Sequence, residues 1–367
     1  MKTIIHVLGA RPNFIKAAPL IKKMNESLDV NNIILHTGQH YDKNMSGQFF
    51  VDLNIPKPDV NLGLGGGSQA SQTANIMIGC EKVFKEYRPK VVVVYGDVNS
   101  CVAATLVASK LHLEEGYDKI KVVHVESGLR SYDRTMPEEL NRVVTDGLAD
   151  YLFVSCEDAI QNLVEEGIDS EKCFFVGNTM IDSLIEFEEK FDESTILSEL
   201  DLDKKEYALT TIHRPFTVDN ISRLKDMMDS LINISKGIEC VLPIHPRTKN
   251  ALVKNDLNHY FESKLKIIEP LGYLDFMCLQ KNAKFIITDS GGVQEESSYF
   301  NVPCLTIRDN TERPITCTDG TNKMIGTSYS NILDEVMMID FSKKSKIKLW
   351  DGKASDRIVQ VFKDVIL

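Results

Sequence analysis

The sequence predicts an α/β fold built as two doubly wound, Rossmann-like parallel sheets in tandem, and three observations predict it. Short β-branched runs alternate with longer amphipathic stretches from the first residues onward. The runs are continuously apolar, the pattern of strands buried on both faces beneath helices. The rhythm breaks once, in a charged stretch near the middle, and then resumes; 367 residues also exceed what one ordinary hydrophobic core organises.

In the first half "TIIHVL" reads as a strand leading into the helical "RPNFIKAAPLIKKM", and "NIILHTG" is the next strand. The glycine-rich "LGLGGGSQ", residues 62–69, lacks the strand-loop-helix context of a phosphate fingerprint and reads as a mobile loop. "KVVVVYG" leads into "NSCVAATLVASKLH", and "IKVVHV" and "YLFVS" complete the series. The stretch "EKCFFVGNTMIDSLIEFEEKFDESTILSELDLDKKEY" reads as a long charged helical pattern and marks the crossing between domains. A second series follows in "YALTTIHR", "IECVLPIHPR", "KLKIIEP", "AKFIITDSGG" and "VPCLTIRD", and "DRIVQVFKDVI" closes as a short amphipathic helix.

Composition narrows the function classes. Lys and Arg number 42 against 53 Asp and Glu, a formal charge of −11, which is the wrong sign for a protein that coats itself in nucleic acid. No apolar run approaches the roughly 18 residues of a membrane helix. The start "MKTIIHVLGARPNFIK" passes directly into Arg11 and Lys16 without a signal-peptide pattern, so a cytoplasmic protein is expected. The eight cysteines form no CxxC pair and lie mostly in apolar stretches such as "CFFVG", as reduced thiols do.

Two open α/β sheets place ligands beyond the carboxyl ends of their strands, here in a crevice where the domains face each other. The chemically interesting residues do follow the apolar runs. After the first strand, "GARPNFIK" sets Arg11 and Lys16 near the positive end of a helix, where an anion is attracted, although Lys16 reads equally well as a solvated helix residue. After "KVVVVYG" comes Asp97, either a helix cap or a working carboxylate. After "IKVVHV" come Glu126 and the cluster "HVESGLRSYDRTMPEELNR", residues 124–142, whose charge density suits either a solvated loop or the wall of a polar site. Within it Pro137 opens a helix, and Glu138 and Arg142 stand at the spacing of an i,i+4 ion pair. Asp97, Glu126 and Glu138 at neighbouring strand ends would gather carboxylates suited to acid/base work.

In the second half Ser290, Gly291 and Gly292 open a helix after "AKFII", presenting backbone N–H groups suited to a diphosphate, and Glu295 or Glu296 one turn on suits ribose hydroxyls. His213 and His245 each follow an apolar run without a third ligand at zinc spacing, which favours phosphate or substrate contacts over a metal. Arg313, after the last strand, is an anion partner or a solvated loop residue.

The ordered set "GARPNFIKAAPL", "TGQHYD", "GDVNS", "HVESGLRSYDRTMPEELNR", "VGNTMID", "HRP", "HPRT", "TDSGGVQEE" and "RDNTERP" resembles the non-hydrolysing UDP-N-acetylglucosamine 2-epimerases over nearly the whole chain. The resemblance implies a GT-B arrangement: residues 1–178 as the first domain, 179–352 as a UDP-binding second domain, and 353–367 returning to the first. It implies a cytoplasmic homodimer that takes a UDP-sugar, uses no cofactor and no metal, and engages neither nucleic acid nor membrane. It also implies elimination of UDP to a 2-acetamidoglucal and re-addition, with Asp97, Glu126 and Glu138 as acid/base candidates. His213, Arg313 and Lys16 would stabilise the departing diphosphate. Arg11, Ser290, Gly291, Gly292 and Glu296 match UDP-binding positions, Phe276 stands near the uracil, and Arg130 and Arg142 hold the carboxylates. "HRPFTVDN" and "QHYDKNM" depart from the family's usual pattern, so substrate-activated regulation is not carried over. Relatives acting on UDP-diacetamido-uronic acids share the motifs, and a GT-B glycosyltransferase is the more distant alternative.

Overall fold

The structure is a computed structural model that describes residues 2–38, 56–112 and 114–367; the remainder of "TGQHYD" after Gly38, and with it "QHYDKNM", lies outside the described residues. The chain forms two compact units, Met1–Glu186 with Lys348–Leu367, and Phe187–Ile347.

Among the described residues the first unit holds a sheet of β1 (Lys2–Leu8), β2 (Val30–His36), β3 (Val60–Asn61), β4 (Val91–Tyr95), β5 (Lys121–Ser127), β6 (Tyr151–Val154) and β7 (Cys173–Phe175). Their order is β3-β2-β1-β4-β5-β6-β7, every pairing parallel. Chain order reverses between β1 and β4, and there the following helices diverge to opposite faces and leave a crevice. The runs read as strands are buried as expected; β4 is covered along its whole length. β3 went unread because two residues at a sheet edge need no apolar pattern of their own, and β7 corrects the helical reading of the stretch that begins "EKCFFVG": its three apolar residues pair along β6 as an edge strand before the helices begin at Thr179.

Helix Arg11–Ser27 after β1 carries Pro19 in its interior, which withholds the N–H that would bond the carbonyl of Ile15. Ser183 Oγ donates to that carbonyl at 2.5 Å. The neighbouring Asp182 accepts from the backbone N–H groups of Ala354 at 3.1 Å and Ser355 at 2.6 Å, so it caps the closing helix Ala354–Val361. Burial raises the Asp182 carboxyl above its ordinary value despite these bonds.

The second unit holds β8 (Tyr207–Thr211), β9 (Glu239–Pro243), β10 (Lys266–Ile268), β11 (Phe285–Thr288), β12 (Cys304–Thr306) and β13 (Asn322–Met324), ordered β10-β9-β8-β11-β12-β13 and parallel throughout. Its switch point lies between β8 and β11. On one face a core of Leu224, Met227, Met228 and Leu231 from helix Ile221–Ile234 packs on Ala208, Leu242 and Ile287. None of the eight cysteines is bridged, and burial pushes the thiols of Cys80, Cys101, Cys240 and Cys304 up to about 12. Among the described residues no helix is long and apolar enough to cross a membrane.

Candidate active site

In the first unit the turns after β1, β4 and β5 assemble one polar cluster. Asn13, in the first turn of helix Arg11–Ser27, accepts from the N–H groups of Gly9 at 3.1 Å and Ala10 at 2.9 Å and donates to the carbonyl of Tyr95 at 2.7 Å. It thereby ties the β1 turn to the end of β4. Gly9 is required there, since a Cβ would lie 2.0 Å from Ser100 Oγ. Arg11 is half-buried at the helix start.

Glu126 sits where the register of β5 against β6 skips between Val125 and Ser127, with φ +69°. A bulge with left-handed backbone at a non-glycine residue re-aims a side chain, at a local cost the surroundings must offset. The re-aimed carboxylate meets Lys16 Nζ, with both side chains only 6% exposed. Lys16 is therefore not the solvated helix residue that was one reading of it; its ammonium bears on Glu126. A Cβ on Gly96 would lie 3.0 Å from Glu126 Oε2 and 3.2 Å from Lys16 Nζ, so that glycine keeps the space for the pair.

Asp97 follows Gly96, but the helix Asn99–Leu111 has Val98 at its cap position. The Asp97 carboxylate instead takes Arg142 Nη2, and its carbonyl accepts from Asn141 Nδ2 at 2.9 Å. Both partners project from helix Pro137–Leu148. The charge cluster then sorts itself residue by residue. Arg142 Nη1 donates to Glu139 Oε2 at 2.7 Å, so the ion pair forms at i,i+3 and involves Glu139, whereas Glu138 stands exposed in the helix's first turn. Glu139 also accepts from Ser131 N, Ser131 Oγ and Tyr132 N at 2.8–3.1 Å and so anchors the loop between strand and helix. Arg130 bonds Asp146 and Glu166, each at 2.7 Å, and not the candidate carboxylates.

In the second unit the loops after β8, β9, β11 and β12 converge in the same way. Asp289, after β11, accepts from the backbone N–H groups of His213 at 2.9 Å and Arg214 at 2.8 Å, and its other oxygen lies 3.0 Å from His213 Nδ1. Burial by itself would raise this carboxyl, but the bonds from His213 and Arg214 hold it below its ordinary value. With Nδ1 on Asp289, Nε2 is the His213 nitrogen left to face a ligand. His245 lies beside it, ring centroids 5.3 Å apart, and is lowered by partial burial and then by the His213 charge. Asp289 escaped the sequence reading although it directly follows an apolar run, the one signal that could have found it.

Ser290 precedes helix Gly291–Tyr299, and a Cβ on Gly291 would fall 2.7 Å from both Arg313 Nη1 and Glu312 Oε1. Arg313 is thus drawn against the helix start. It is no solvated loop residue: it is 6% exposed, with Nε 2.9 Å from Glu295 and Nη1 2.7 Å from Glu312. Glu312 also meets Arg308 at 2.8 Å. Glu295 is engaged by Arg313, and the neighbouring Glu296, 6% exposed, accepts from Gln280 Nε2 at 2.6 Å. Gly292 is half-buried in the first turn of the same helix, and Phe276 is half-buried on helix Tyr273–Asn282. Among the described residues no group of three or more His, Cys, Asp or Glu could hold a metal ion.

Comparison with known proteins gives a consistent answer. A family model described as UDP-N-acetylglucosamine 2-epimerase matches residues 22–363. The chain is 43% identical over 363 residues, 97% of each chain, to the UDP-N-acetylglucosamine 2-epimerase of Methanocaldococcus jannaschii. It is 38% identical over 90% of each chain to the UDP-2,3-diacetamido-2,3-dideoxy-D-glucuronate 2-epimerase of Pseudomonas aeruginosa. The crystal structure of the Methanocaldococcus jannaschii enzyme in complex with UDP-GlcNAc and UDP superposes with a TM-score of 0.90, at 42% identity over 99% of both chains. The two Rossmann-like sheets are of the GT-B type that the motifs implied. With strand-end turns built from its own motif residues and a full-length match on both counts, the chain belongs to the UDP-N-acetylglucosamine 2-epimerase family.

Proposed function

We propose that the protein interconverts UDP-N-acetylglucosamine and UDP-N-acetylmannosamine, supplying the latter for surface polysaccharide synthesis. The observation that carries this is the placement of Asp97 and Glu126 at the ends of the adjacent strands β4 and β5, each against a cation, in a chain of this family. The C2 proton of the sugar is too weakly acidic for simple removal to a stable carbanion. The C2–H and C1–O bonds therefore break together, releasing UDP and leaving a C1=C2 double bond in a 2-acetamidoglucal. UDP then returns to C1 while C2 takes a proton on its opposite face. Two faces need two groups. Asp97 and Glu126 fill these roles, and Glu138, exposed on the helix that holds Asp97, is the third acid/base candidate. Lys16 acts through Glu126 and, with His213 and Arg313, offsets the charge of the departing diphosphate. Arg11, Arg142, His245, Phe276, Ser290, Gly291, Gly292 and Glu296 bind or orient the UDP-sugar. The route changes no oxidation level and so calls for no redox partner.

Proton NMR with UDP-N-acetylglucosamine in deuterated water tests the reading. UDP-N-acetylmannosamine should appear with deuterium at C2 and UDP still attached; binding without exchange refutes it. The identity to a diacetamido-glucuronate 2-epimerase supports a second reading, the same reaction on a UDP-diacetamido-uronic acid, and running both substrates side by side separates the two.

We further infer a cytoplasmic homodimer. Its support is a stripe on helix Pro137–Leu148, where Leu140, Val144 and Leu148 recur every fourth residue at 48%, 39% and 41% exposure, together with eight unbridged cysteines. Light scattering should give twice the chain mass, falling to one chain mass in Val144→Glu; a wild-type monomer would refute it.

A further inference from the structure

His124 and Asp146 were assigned no role above, yet both side chains are 0% exposed. A buried ionisable pair is costly unless every group in it is satisfied, so its contacts indicate what it is kept for. His124 Nδ1 lies 2.6 Å from Asp146 Oδ1, and His124 Nε2 lies 2.8 Å from the carbonyl oxygen of Gly96. Neither neighbour can donate: one is a carbonyl, and the other is a carboxylate whose second oxygen already meets Arg130 Nη1 at 2.7 Å. The ring therefore donates from both nitrogens. Arg130 Nε and Nη2 each donate to Glu166 at 2.7 Å, so two cationic and two anionic groups close the cluster without net charge.

Asp146 Oδ2 also accepts from the N–H of Gly128 at 3.1 Å. A single carboxylate is thus bonded through His124 to the residue before Asp97, and directly to the residue two after Glu126. It belongs as well to the helix that carries Glu138 and Arg142. One of these turns requires external restraint. Glu126 takes a left-handed φ of +69° at a non-glycine residue, and such backbone persists only where its surroundings over-determine it. Gly96 and Gly128 turn at φ of +69° and +78°, which glycine adopts freely, and a Cβ on Gly128 would fall 2.4 Å from the carbonyl oxygen of Ala159.

We infer that His124 and Asp146 are a positioning pair that fixes Asp97 and Glu126 in mutual register for proton transfer at the sugar C2. The inference rests on the epimerase reading above. Neither residue needs to touch substrate; each acts through the turns it ties.

His124→Asn retains a donor near the Nδ1 position for Asp146 and gives up Gly96. His124→Gln retains a donor near the Nε2 position for Gly96 and gives up Asp146. Asp146→Asn keeps an acceptor for Gly128 without the charge, and serves if either His124 variant fails to fold. Two readouts apply to folded protein well below its melting temperature: steady-state kinetics with C2 deuterium incorporation, and backbone amide exchange followed by mass spectrometry. The pair predicts a fall in kcat of at least about tenfold with KM within about threefold, since displacing reacting groups slows chemistry more than binding. It also predicts faster exchange in the segments 96–99 and 126–129, with segments of the second unit unchanged. A purely structural role would lower the melting temperature and leave kcat of the folded protein intact; that result, or unaltered exchange in both turns, overturns the inference. A wild-type protein that does not epimerise would sink the reaction reading instead, and the exchange data would still decide whether the pair clamps the turns.

Discussion

Replacing Lys16 by Met probes the first unit most directly. Lys16 and Glu126 are each 6% exposed, so the pair is a buried one, to which the small values of surface pairs do not apply. Removing one partner of such a pair leaves the other charge buried and uncompensated, at a cost of about 3–5 kcal/mol. Glu126→Gln alone should cost a similar amount by stranding the ammonium. Lys16→Met with Glu126→Gln removes both charges and should cost at most about 2 kcal/mol, because what remains is packing and one amide. The assay is urea denaturation followed by tryptophan fluorescence. The chain's one tryptophan is Trp350, which lies in the first unit and donates from Nε1 to the carbonyl of Ser155 at 3.0 Å, so the signal reports that unit alone. With a slope of about 2–3 kcal/mol per molar urea, the single variants should move the midpoint down by about 1–2.5 M. Single variants within about 0.3 M of wild type, or a double variant as damaged as the sum of the singles, would show that the two charges do not face each other across a buried contact.

Adjacent acids should separate cleanly. Glu139→Gln removes the charged acceptor of four donors and should lower stability by about 2–3 kcal/mol, whereas the exposed Glu138→Gln should leave stability within about 0.5 kcal/mol and lower kcat, measured by denaturation and by the NMR assay. His6 is fully buried and burial lowers it from 6.5 to about 4, so the unfolded chain binds the extra proton between those values. Stability should therefore be full above about pH 6.5 and fall by about 3 kcal/mol as the pH drops toward 4, and His6→Gln should flatten the pH dependence of the Trp350 midpoint relative to wild type. Gly291→Ala should weaken UDP binding at least about tenfold by calorimetry, because Arg313 and Glu312, at 6% and 3% exposure, are too enclosed to yield to the new methyl group.

The parallel sheets were legible because strands buried on both faces must be apolar throughout, and the candidate residues were legible because such sheets place function just past their strands. The choice between neighbours was not. Glu138 and Glu139 are equivalent on paper, and only the course of the loop from Leu129 to Met136 decides which one turns inward. The partner of Lys16 lies 110 residues away in sequence, and Arg142 divides itself between Asp97, 45 residues back, and Glu139, three back, where a local spacing rule pointed it at Glu138. Asp289 had a signal in its place just past β11, whereas Asp146 and His124 carry no local signature, since each earns its place from contacts made after the sheet has formed. β13 was missed for a related reason: "NKM" pairs only with β12, at an edge where the hydrogen-bond ladder, not an apolar run, defines the strand.

Asp182 binds the backbone of residues 354 and 355, and those residues belong to the same unit as β1. During synthesis the first unit can therefore form its sheet early, but it waits with an uncapped carboxylate while the whole of the second unit is translated. Its last helix docks only after residue 355 has cleared the ribosome. A nascent chain halted anywhere in the second unit should present a protease-sensitive first unit, and a deletion of residues 354–367 should be felt at Asp182 and around β1.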